Sequence, residues 1–424
     1  MAHIGLICPV ETGHLNTMLP LGKALKQSGH RVTFFGIVDA RTKIEAMELE
    51  FQGFGEKVFP LGSTNKSLAK LAKLSGIPAI LYTMKWFREL AQVFFDEAPT
   101  VIKSAQIDWL LVDQVCPEGG TVADYLNIPF ITICSALPFN QEPSIPPFFT
   151  SWPYQLNWVS CLRNQVVYTL SNPLGKPLKQ LRAKYRQKWG LTPELSPDSS
   201  LAILSHQPAE FEFPRKNLPS WFHFTGPYHT SLKRPFIPFP WEQLTDQPLI
   251  YASMGTLQNG VVDIFEKIAQ ACVNLKVQLV ISLGGSNSFS SLPKLSGDPL
   301  VVNYAPQLEL LEKASLTITH GGMNTTLESL TYGVPIVAIP ITNDQPGVAT
   351  RIVYTGSGEL ITLSRLNVPR LHQTIKKVLT EPSYKKNALE LKNAIHQAGG
   401  VTRAVEIIEK AIATQKPVLN NALL

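Results

Sequence analysis

The sequence predicts an α/β protein with two doubly wound parallel sheets, and three observations support this fold class. Strand-like apolar runs alternate with amphipathic helical patterns along almost the whole chain, which is typical of parallel sheets covered by helices. The chain has 424 residues, which is too long for one ordinary hydrophobic core. A proline-rich stretch at 226–246, without either periodicity, separates two halves of similar pattern.

The first half, residues 1–225, is predicted to be one Rossmann-like domain. Its strand-like runs and helical patterns alternate as a doubly wound sheet requires. The strand-like runs lie at 4–8, 32–36, 109–112 and 130–134, and the helical patterns at 17–28, 39–52, 80–105 and 117–127.

The second half, residues 247–400, is predicted to repeat this architecture, and 226–246 is interpreted as the linker. Its strand-like runs lie at 249–253, 277–282, 316–319 and 336–339, and its helical patterns at 260–274, 307–313, 323–332 and 345–354. Three helical patterns close the chain, and the segment 401–424 is predicted to form a last helix and a tail.

The composition excludes several classes of protein. No run of about 18 uninterrupted apolar residues predicts a membrane span. The five cysteines are odd in number and include no Cys-x-x-Cys pair, which favours reduced thiols over disulfides or zinc. Since Met1-Ala2 leads directly into a strand pattern without a basic leader, we expect a cytoplasmic protein. The net charge of +6 accompanies no nucleic-acid-binding motif, so we expect no nucleic-acid partner.

The most informative motif runs from His320 to Glu328. It reads as a strand end, a Gly-Gly turn that includes Gly322, and the start of a helix. The unpaired N–H groups and the dipole of a helix N-terminus attract phosphate, and His320, Asn324 and Thr325 add side-chain donors. Glu328 lies one turn further along the same helix face, where its carboxylate can accept hydrogen bonds from ribose hydroxyls. The motif predicts a nucleotide-diphosphate site.

Two further loops of the second half follow strands. Tyr304 can stack on a base, while the backbone at Ala305 and the amide of Gln307 can contact the base edge or the ribose. Asp344 and Gln345 place a carboxylate and an amide side by side, which suits the hydroxyls of a hexose. The alternatives are a turn with a core tyrosine at 304 and an ordinary helix N-cap at Asp344.

Ser253, Gly255 and Thr256 follow the first strand of the second half. Small residues let the backbone approach a phosphate, and the two hydroxyls can donate to it. Many strand–helix turns have this composition, so the triplet by itself is weak evidence.

The first half offers a base and a residue to orient it. His14 follows the first strand, and Asp113 ends another strand of the same predicted sheet. An aspartate there can accept the Nδ1 proton of the histidine and stabilise the imidazolium, so the pair is predicted to deprotonate a substrate. The alternatives are a surface-loop histidine and a helix-capping aspartate.

Motifs for metals and bound cofactors are missing from the sequence. There is no Asp-x-Asp, no Gly-x-Gly-x-x-Gly and no Walker motif. We therefore expect no metal and no cofactor, and we expect the helix dipole, His320 and backbone donors to meet the charge of a diphosphate leaving group.

Together these residues resemble the UDP-glycosyltransferases of the family that includes plant secondary-product and bacterial macrolide or carotenoid enzymes (GT1). The resemblance runs through 304–307, 320–328, 333–335 and 344–345, with His14 and Asp113 in the first half. Tyr304 stands where plant enzymes usually have tryptophan, and 344–349 is most similar to the carotenoid (zeaxanthin-type) glucosyltransferases.

The resemblance implies a GT-B fold, in which two Rossmann-like domains face each other and the last helix crosses back to the first domain. It implies an inverting, metal-independent transfer of a hexose, with glucose as the expected sugar, from a UDP-sugar to an acceptor hydroxyl. The acceptor would lie mainly in the first domain, with His14 and Asp113 as the catalytic pair. Uracil would stack on Tyr304, the diphosphate would lie at 320–325, and the sugar at 344–345.

The acceptor is expected to be a hydrophobic alcohol or phenol. Phe139, Phe148, Phe149 and Trp152 lie in a long aromatic and proline-rich stretch, which can line an apolar pocket or can be a packed loop. A basic helical stretch at 176–188 is either a solvated helix face or a site for peripheral attachment to anionic lipid.

Three other functions remain open at this point. A lipid-carrier or sterol glycosyltransferase at a membrane surface shares the fold. A nucleotide-sugar epimerase would process the donor without an acceptor. A non-catalytic sugar-nucleotide-binding subunit would not need His14 and Asp113. We expect a monomer or a weak dimer.

Overall fold

The computed structural model describes residues 1–71, 76–193, 196–228, 236–255, 262–285 and 294–420. These residues form two α/β domains and a C-terminal helical segment. The predicted fold class is confirmed.

Within the described residues, the first sheet has seven parallel strands in the order β3-β2-β1-β4-β5-β6-β7. The strands are β1 (His3–Ile7), β2 (Arg31–Gly36), β3 (Glu50–Gly53), β4 (Trp109–Asp113), β5 (Phe130–Cys134), β6 (Ile203–Ser205) and β7 (Phe222–Phe224). The central strands β1 and β4 are buried along their whole length, because helices cover both faces of the sheet.

The helices of the first domain lie between these strands. They are α1 (Thr12–Gln27), α2 (Arg41–Glu45), α3 (Ser63–Leu71), α4 (Gly76–Ser104), α5 (Glu118–Leu126), α6 (Trp158–Ser171) and α7 (Lys176–Lys188). The basic stretch at 176–188 is therefore a helix, but Arg182 and Arg186 are buried, so only its lysines face solvent.

The second sheet has six parallel strands among the described residues, in the order β10-β9-β8-β11-β12-β13. They are β8 (Leu249–Ser253), β9 (Gln278–Ser282), β10 (Leu300–Val302), β11 (Ala314–Thr319), β12 (Ile336–Ala338) and β13 (Gly358–Leu360). The helices are α8 (Val262–Cys272), α9 (Gln307–Lys313), α10 (Met323–Thr331), α11 (Gln345–Tyr354), α12 (Val368–Thr380) and α13 (Pro382–Ala398).

The last helix, α14 (Gly400–Thr414), crosses back to the first domain. Its apolar face packs against α1 and joins the hydrophobic core that also contains Ile4 and Leu111 of the first sheet. The tail follows the same domain, since the backbone N–H of Val418 donates to the carbonyl of Leu201 over 2.8 Å. The C-terminal segment therefore packs on the domain that contains the N-terminus.

A second contact between the domains is an apolar cluster beside the cleft. Leu137 and Phe211 of the first domain are fully buried against α10, α11 and α13. Next to this cluster, the buried guanidinium of Arg351 on α11 forms an ion pair with the buried carboxylate of Glu212. These contacts fix α11 against the segments that follow β5 and β6.

The helical pattern predicted at 39–52 is wrong in its second part. The helix α2 ends at Glu45, and Glu48 adopts a left-handed conformation with a φ of 61°. The chain then enters β3, which pairs with β2, so the pairing at the sheet edge overrides the helical spacing. The three-residue strands β6, β7, β10 and β13 were not predicted, because three residues are too few to show a period.

The linker prediction, 226–246, is described only at 226–228 and 236–246. Tyr228 packs into the core of the first domain, and Phe239 packs against β8 in the second. The remaining linker residues lie outside the described part. The boundaries at 225 and 246 stay predictions.

Candidate active site

His14, Asp113 and His320 follow or end the strands at which the strand order of each sheet reverses. In the first sheet this point lies between β1 and β4, and in the second between β8 and β11. Loops at the carboxyl ends of such strands splay apart and leave room for ligands. The two ends face each other across a cleft of about 650 Å³, which is lined by both domains.

His14 and Asp113 meet as predicted. The Nδ1 of His14, in the first turn of α1, lies 2.9 Å from Oδ2 of Asp113 at the end of β4. Asp113 is fully buried, and its other oxygen accepts the backbone N–H of Val115 over 3.0 Å. His14 keeps 22% of its side chain exposed towards the cleft. A buried carboxylate thus orients a partly exposed imidazole.

Ser135 is a third member of this group, and sequence reasoning missed it. Its Oγ lies 2.6 Å from Nδ1 of His14, and its hydroxyl donates to Oδ2 of Asp113. Ser135 directly follows β5, the neighbour of β4 in the sheet. A small polar residue after the adjacent strand was the available signal, by the same reasoning that selected Asp113.

The surroundings of His14 favour its charged form. Burial alone would lower the pKa of His14, but the negative charge of Asp113 and the hydrogen bond to it outweigh burial. The carboxylates of Glu11 and Asp344 act in the same direction, and together these groups raise the pKa of His14 from 6.5 to about 9. His14 is therefore mainly an imidazolium at neutral pH when the cleft holds no substrate.

His320 lies on the opposite lip of the cleft, which the second domain forms, between β11 and α10. A Cβ on Gly255 would lie 2.7 Å from its Cε1, and a Cβ on Gly322 would lie 2.5 Å from its Nε2, so two glycines make room for the ring. Gly255 has a φ of +78°, a conformation that glycine adopts without strain. Burial lowers the pKa of His320 to about 4, although its ring also donates a hydrogen bond to the carbonyl of Ser253. The ring is neutral at pH 7.

The N-terminus of α10 faces the N-terminus of α1 across the cleft. The amide Nδ2 of Asn324 donates to the carbonyl of Gly13 over 2.8 Å, which joins the two domains. Thr325 and Gly322 also line the cleft at this end. The predicted phosphate site is thus formed by two helix N-termini, and Asn324 contributes to domain contact in this ligand-free arrangement.

A chain of hydrogen bonds holds the predicted ribose site. The hydroxyl of Tyr251 donates to Oε1 of Gln307 over 2.9 Å, and the amide of Gln307 donates to the carboxylate of Glu328. Glu328 is buried, which fixes its carboxylate at the wall of the cleft. Gln307 therefore orients Glu328, a contact that the sequence did not predict.

Tyr304 presents an open ring face. Its side chain is 52% exposed, lines the cleft, and packs on one side against Gly285, whose φ is +80°. Ala305 beside it is buried and also lines the cleft. The ring is therefore held in place while one face remains available for stacking.

Asp344 and Gln345 lie at the start of α11. Asp344 holds the N-cap position but makes no side-chain capping bond, and its carboxylate instead accepts the backbone N–H of Leu137. Burial raises the pKa of Asp344 above its usual value, while His14 opposes that shift. Oε1 of Gln345 accepts the backbone N–H groups of Ile341 and Thr342 over 2.9 and 3.0 Å. Part of each side chain therefore shapes the loop itself.

Of the triplet after β8, Ser253 and Gly255 line the cleft. Ser253 is buried at the strand end, and its carbonyl accepts the hydrogen bond from His320. Thr256 lies outside the described residues.

The four aromatic residues predicted for the acceptor separate into two groups. Phe139 and Phe148 line the cleft and stack with ring centroids 5.0 Å apart. Phe149 lines a neighbouring pocket of about 340 Å³, and Trp152 stacks on the guanidinium of Arg163 at 4.2 Å. Neither of these two reaches the main cleft, because the loop turns outward after Phe148.

The other wall of the acceptor side comes from α3 and α4. Leu68, Tyr82, Trp86 and Phe87 line the cleft together with His14. Tyr82 and Trp86 are four residues apart on one helix face, a spacing that could have identified them. Sequence reasoning recognised the helix but not its role.

Among the described residues, no group of three or more His, Cys, Asp or Glu side chains is placed to hold a metal ion. The cysteines of the chain are free thiols, and four of the five are buried. No helix of the described part is long and apolar enough to cross a membrane.

The sequence of this chain matches known proteins over its whole length. A sequence model of the family described as UDP-glucoronosyl and UDP-glucosyl transferase matches residues 6–412. A zeaxanthin glucosyltransferase of Pantoea ananas is 32% identical, covering 100% of this chain and 99% of the relative. A zeaxanthin glucosyltransferase of Pseudescherichia vulneris is 30% identical, covering 99% of this chain and all of the relative.

Solved structures of glycosyltransferases share the fold. The calicheamicin glycosyltransferase CalG4 is similar with a TM-score of 0.74 over 98% of this chain and 100% of its own, at 18% identity. The glycotransferase of kitacinnamycin has a TM-score of 0.73 over 98% of this chain and 99% of its own, at 21% identity. Both support the GT-B architecture of two facing domains.

Proposed function

Because this chain belongs to the UDP-glucoronosyl and UDP-glucosyl transferase family, we propose that it transfers a hexose from a UDP-sugar to a hydroxyl of a hydrophobic acceptor with inversion at the anomeric carbon. The chain is thus an enzyme, a UDP-glycosyltransferase with the GT-B fold. The observation that carries the proposal is the His14–Asp113–Ser135 group, which faces the predicted diphosphate site across one cleft.

The first half of the reaction is proton removal from the acceptor. Nε2 of neutral His14 takes the proton of the acceptor hydroxyl, while Asp113 holds Nδ1 and stabilises the imidazolium that forms. A base whose pKa is raised to about 9 is strong but is only ~1% neutral at pH 7. The oxygen of the acceptor attacks the anomeric carbon from the face opposite UDP, so an α-linked donor gives a β-glycoside.

The second half is the departure of UDP. The N-termini of α10 and α1 supply backbone N–H groups and partial positive charge for the diphosphate. Neutral His320 can take up a proton from solvent as the diphosphate charge approaches, since an anion favours the imidazolium. These groups provide the stabilisation that a metal provides elsewhere, so we propose a reaction without metal or cofactor.

The donor is positioned along the second domain. Tyr304 would stack on uracil, and the orientation of Glu328 by Gln307 suits two ribose hydroxyls. Asp344 and Gln345 would contact the hexose, which we propose to be glucose.

The acceptor side supports a lipophilic alcohol or phenol. Phe139 and Phe148 form one wall of the cleft, and Trp86 and Phe87 form the other. Two relatives are zeaxanthin glucosyltransferases, so a carotenoid alcohol is the first acceptor to test, before flavonoids, terpenoids and sterols. We propose that the enzyme works in the cytoplasm with reduced cysteines, as a monomer or a weak dimer.

The experiment that tests this function is incubation with UDP-glucose and a panel of xanthophylls, flavonoids, terpenoids and sterols. We expect an acceptor product with one added hexose and a β-linkage by NMR, together with UDP release that depends on the added alcohol. The His14→Ala variant is the matched control. UDP-sugar conversion without any acceptor would contradict a transferase and favour an epimerase.

A further inference from the structure

The helix α6 is amphipathic, but it buries its polar face and exposes its apolar face. Its buried face is polar, since the amide of Asn164 donates to the carbonyl of Pro143 over 2.9 Å and the hydroxyl of Tyr168 donates to the carbonyl of Ile145 over 3.0 Å. These bonds hold the helix against the loop that precedes it. The opposite face must therefore point outward.

That outward face is apolar. Trp158, Leu162 and Leu170 are 76%, 56% and 72% exposed, and Val166 lies on the same stripe at a spacing of four residues. Large apolar side chains rarely form a continuous exposed row on a monomer unless the row contacts something. We call this face, together with the adjoining Leu174, the α6 surface.

The charge around the α6 surface is strongly one-sided. Residues 143–193 contain seven of the 38 Lys and Arg residues and none of the 32 Asp and Glu residues. Arg182 and Arg186 among the seven are buried, and the exposed charges are the four lysines at 176, 179, 184 and 188. Lys176 and Lys179 are exposed directly beyond Leu174. An apolar face with a basic rim is complementary to an anionic lipid bilayer.

The α6 surface also lies beside a second pocket, which neighbours the cleft. Leu174, Lys179 and Phe149 line the pocket of about 340 Å³, and this pocket shares Phe139 and Phe148 with the main cleft. The α6 surface therefore adjoins a pocket that lies next to the acceptor side of the cleft.

We propose that the α6 surface binds the surface of an anionic lipid bilayer, with Trp158, Leu162 and Leu170 inserted among the lipids and Lys176 and Lys179 at the headgroups. The sequence offered the basic stretch at 176–188 as either a solvated helix face or a lipid contact. In the structure, α6 supplies the apolar part, and the lysines at the start of α7 supply the charge. The proposal concerns attachment without substrates, so it can fail independently of the proposed transfer reaction.

The test is flotation of the full chain with vesicles of phosphatidylcholine, with and without about one third phosphatidylglycerol, at about 50 mM and about 500 mM salt. We expect binding to the anionic vesicles that weakens at high salt. The double variant Leu162→Ser/Leu170→Ser should lower the partition coefficient at least tenfold. Lys176→Glu/Lys179→Glu should lower it at least fivefold at low salt only.

The matched controls change exposed residues elsewhere. Leu61→Ser/Leu363→Ser and Lys313→Glu/Lys376→Glu should leave vesicle binding within about twofold of the unaltered chain, because none of these residues lies on the α6 surface. Brominated lipids should quench tryptophan emission in the unaltered chain and much less after Trp158→Phe.

Three results would overturn the proposal. The first is no binding to either vesicle, and the second is binding that the leucine variant leaves unchanged. The third is a dimer that dissociates on Leu162→Ser/Leu170→Ser, which would show that a second copy of the chain covers this face.

Discussion

The two lips of the cleft each present a histidine after a central strand, but the two rings hold protons differently. On the first lip, the buried carboxylate of Asp113 raises the pKa of His14 to about 9. On the second lip, His320 has a backbone carbonyl and two glycines for neighbours, and burial lowers its pKa to about 4. The partner of the ring, and not its place in the fold, therefore decides its charge.

This difference matches the two halves of the proposed reaction. A base that must hold a proton after abstraction benefits from a carboxylate behind it. A ring beside a leaving diphosphate must be free of other anions, so that the charge of the diphosphate can change its protonation.

The largest effect is expected for His14→Ala. Loss of the base should lower kcat by about 10³-fold, in the middle of the range for general-base catalysis. The affinity for UDP, measured by calorimetry, should stay within about twofold, because the substitution leaves the backbone N–H groups of α10 and α1 in place. Activity near the original level on every accepted alcohol would show that His14 is not the base.

Asp113→Asn should lower kcat by about 10²-fold and also move the pH profile. The carboxylate supplies the main attractive interactions that raise the pKa of His14, so the rising limb of kcat/KM should shift from about 9 to below 7. The measurement is kcat/KM between pH 5 and pH 10, with Ser135→Ala as a milder companion. A kcat/KM profile whose midpoint stays near pH 9 would show that Asp113 does not raise the pKa of His14.

His320→Ala should weaken UDP binding by about tenfold. It should not move the midpoint of the kcat/KM pH profile, which reports the pKa of His14. Because the pKa of free His320 is about 4, diphosphate binding should draw a proton onto the ring, and the affinity should fall as the pH rises. Calorimetry in buffers of different ionisation enthalpy measures this uptake. Proton uptake that persists in His320→Ala would assign it to another group.

The smallest expected effect is on stability. The pKa of His14 is raised from 6.5 to about 9 on folding, so its ion pair stabilises the fold fully below pH 6.5, and this stabilisation is lost as the pH rises through 9. The contribution should be about 2 kcal/mol after allowance for partial exposure. The free energy of chemical unfolding should be larger at pH 6 than at pH 9.5 in the original chain. This difference should be absent in His14→Gln. Equal differences in both would contradict the assignment.

The comparison also shows what the sequence could predict. Strand ends place His14 and Asp113 together at one edge of the first sheet, because the carboxyl ends of parallel strands share an edge, and they place His320 at the corresponding edge of the second sheet. The protonation of the two histidines could not be predicted, since it depends on burial and on neighbours such as Glu11 and Asp344 from distant parts of the chain.

Contacts made through tertiary packing were beyond the sequence as well. The orientation of Glu328 by Gln307 and the membership of Ser135 need the register of neighbouring strands. The burial of the polar face of α6 could not be predicted for a different reason. This helix was not among those predicted, and its inward face is set by the bonds of Asn164 and Tyr168 to the preceding loop.

The most direct test of the difference between the two lips is the NMR titration of ring nitrogens in the substrate-free enzyme labelled with ¹⁵N-histidine. The chain has nine histidines, and His14→Gln and His320→Gln assign the two of interest. We predict that His14 loses its proton near pH 9, while His320 stays neutral down to about pH 4. Titration of both rings near pH 6.5 would contradict the account.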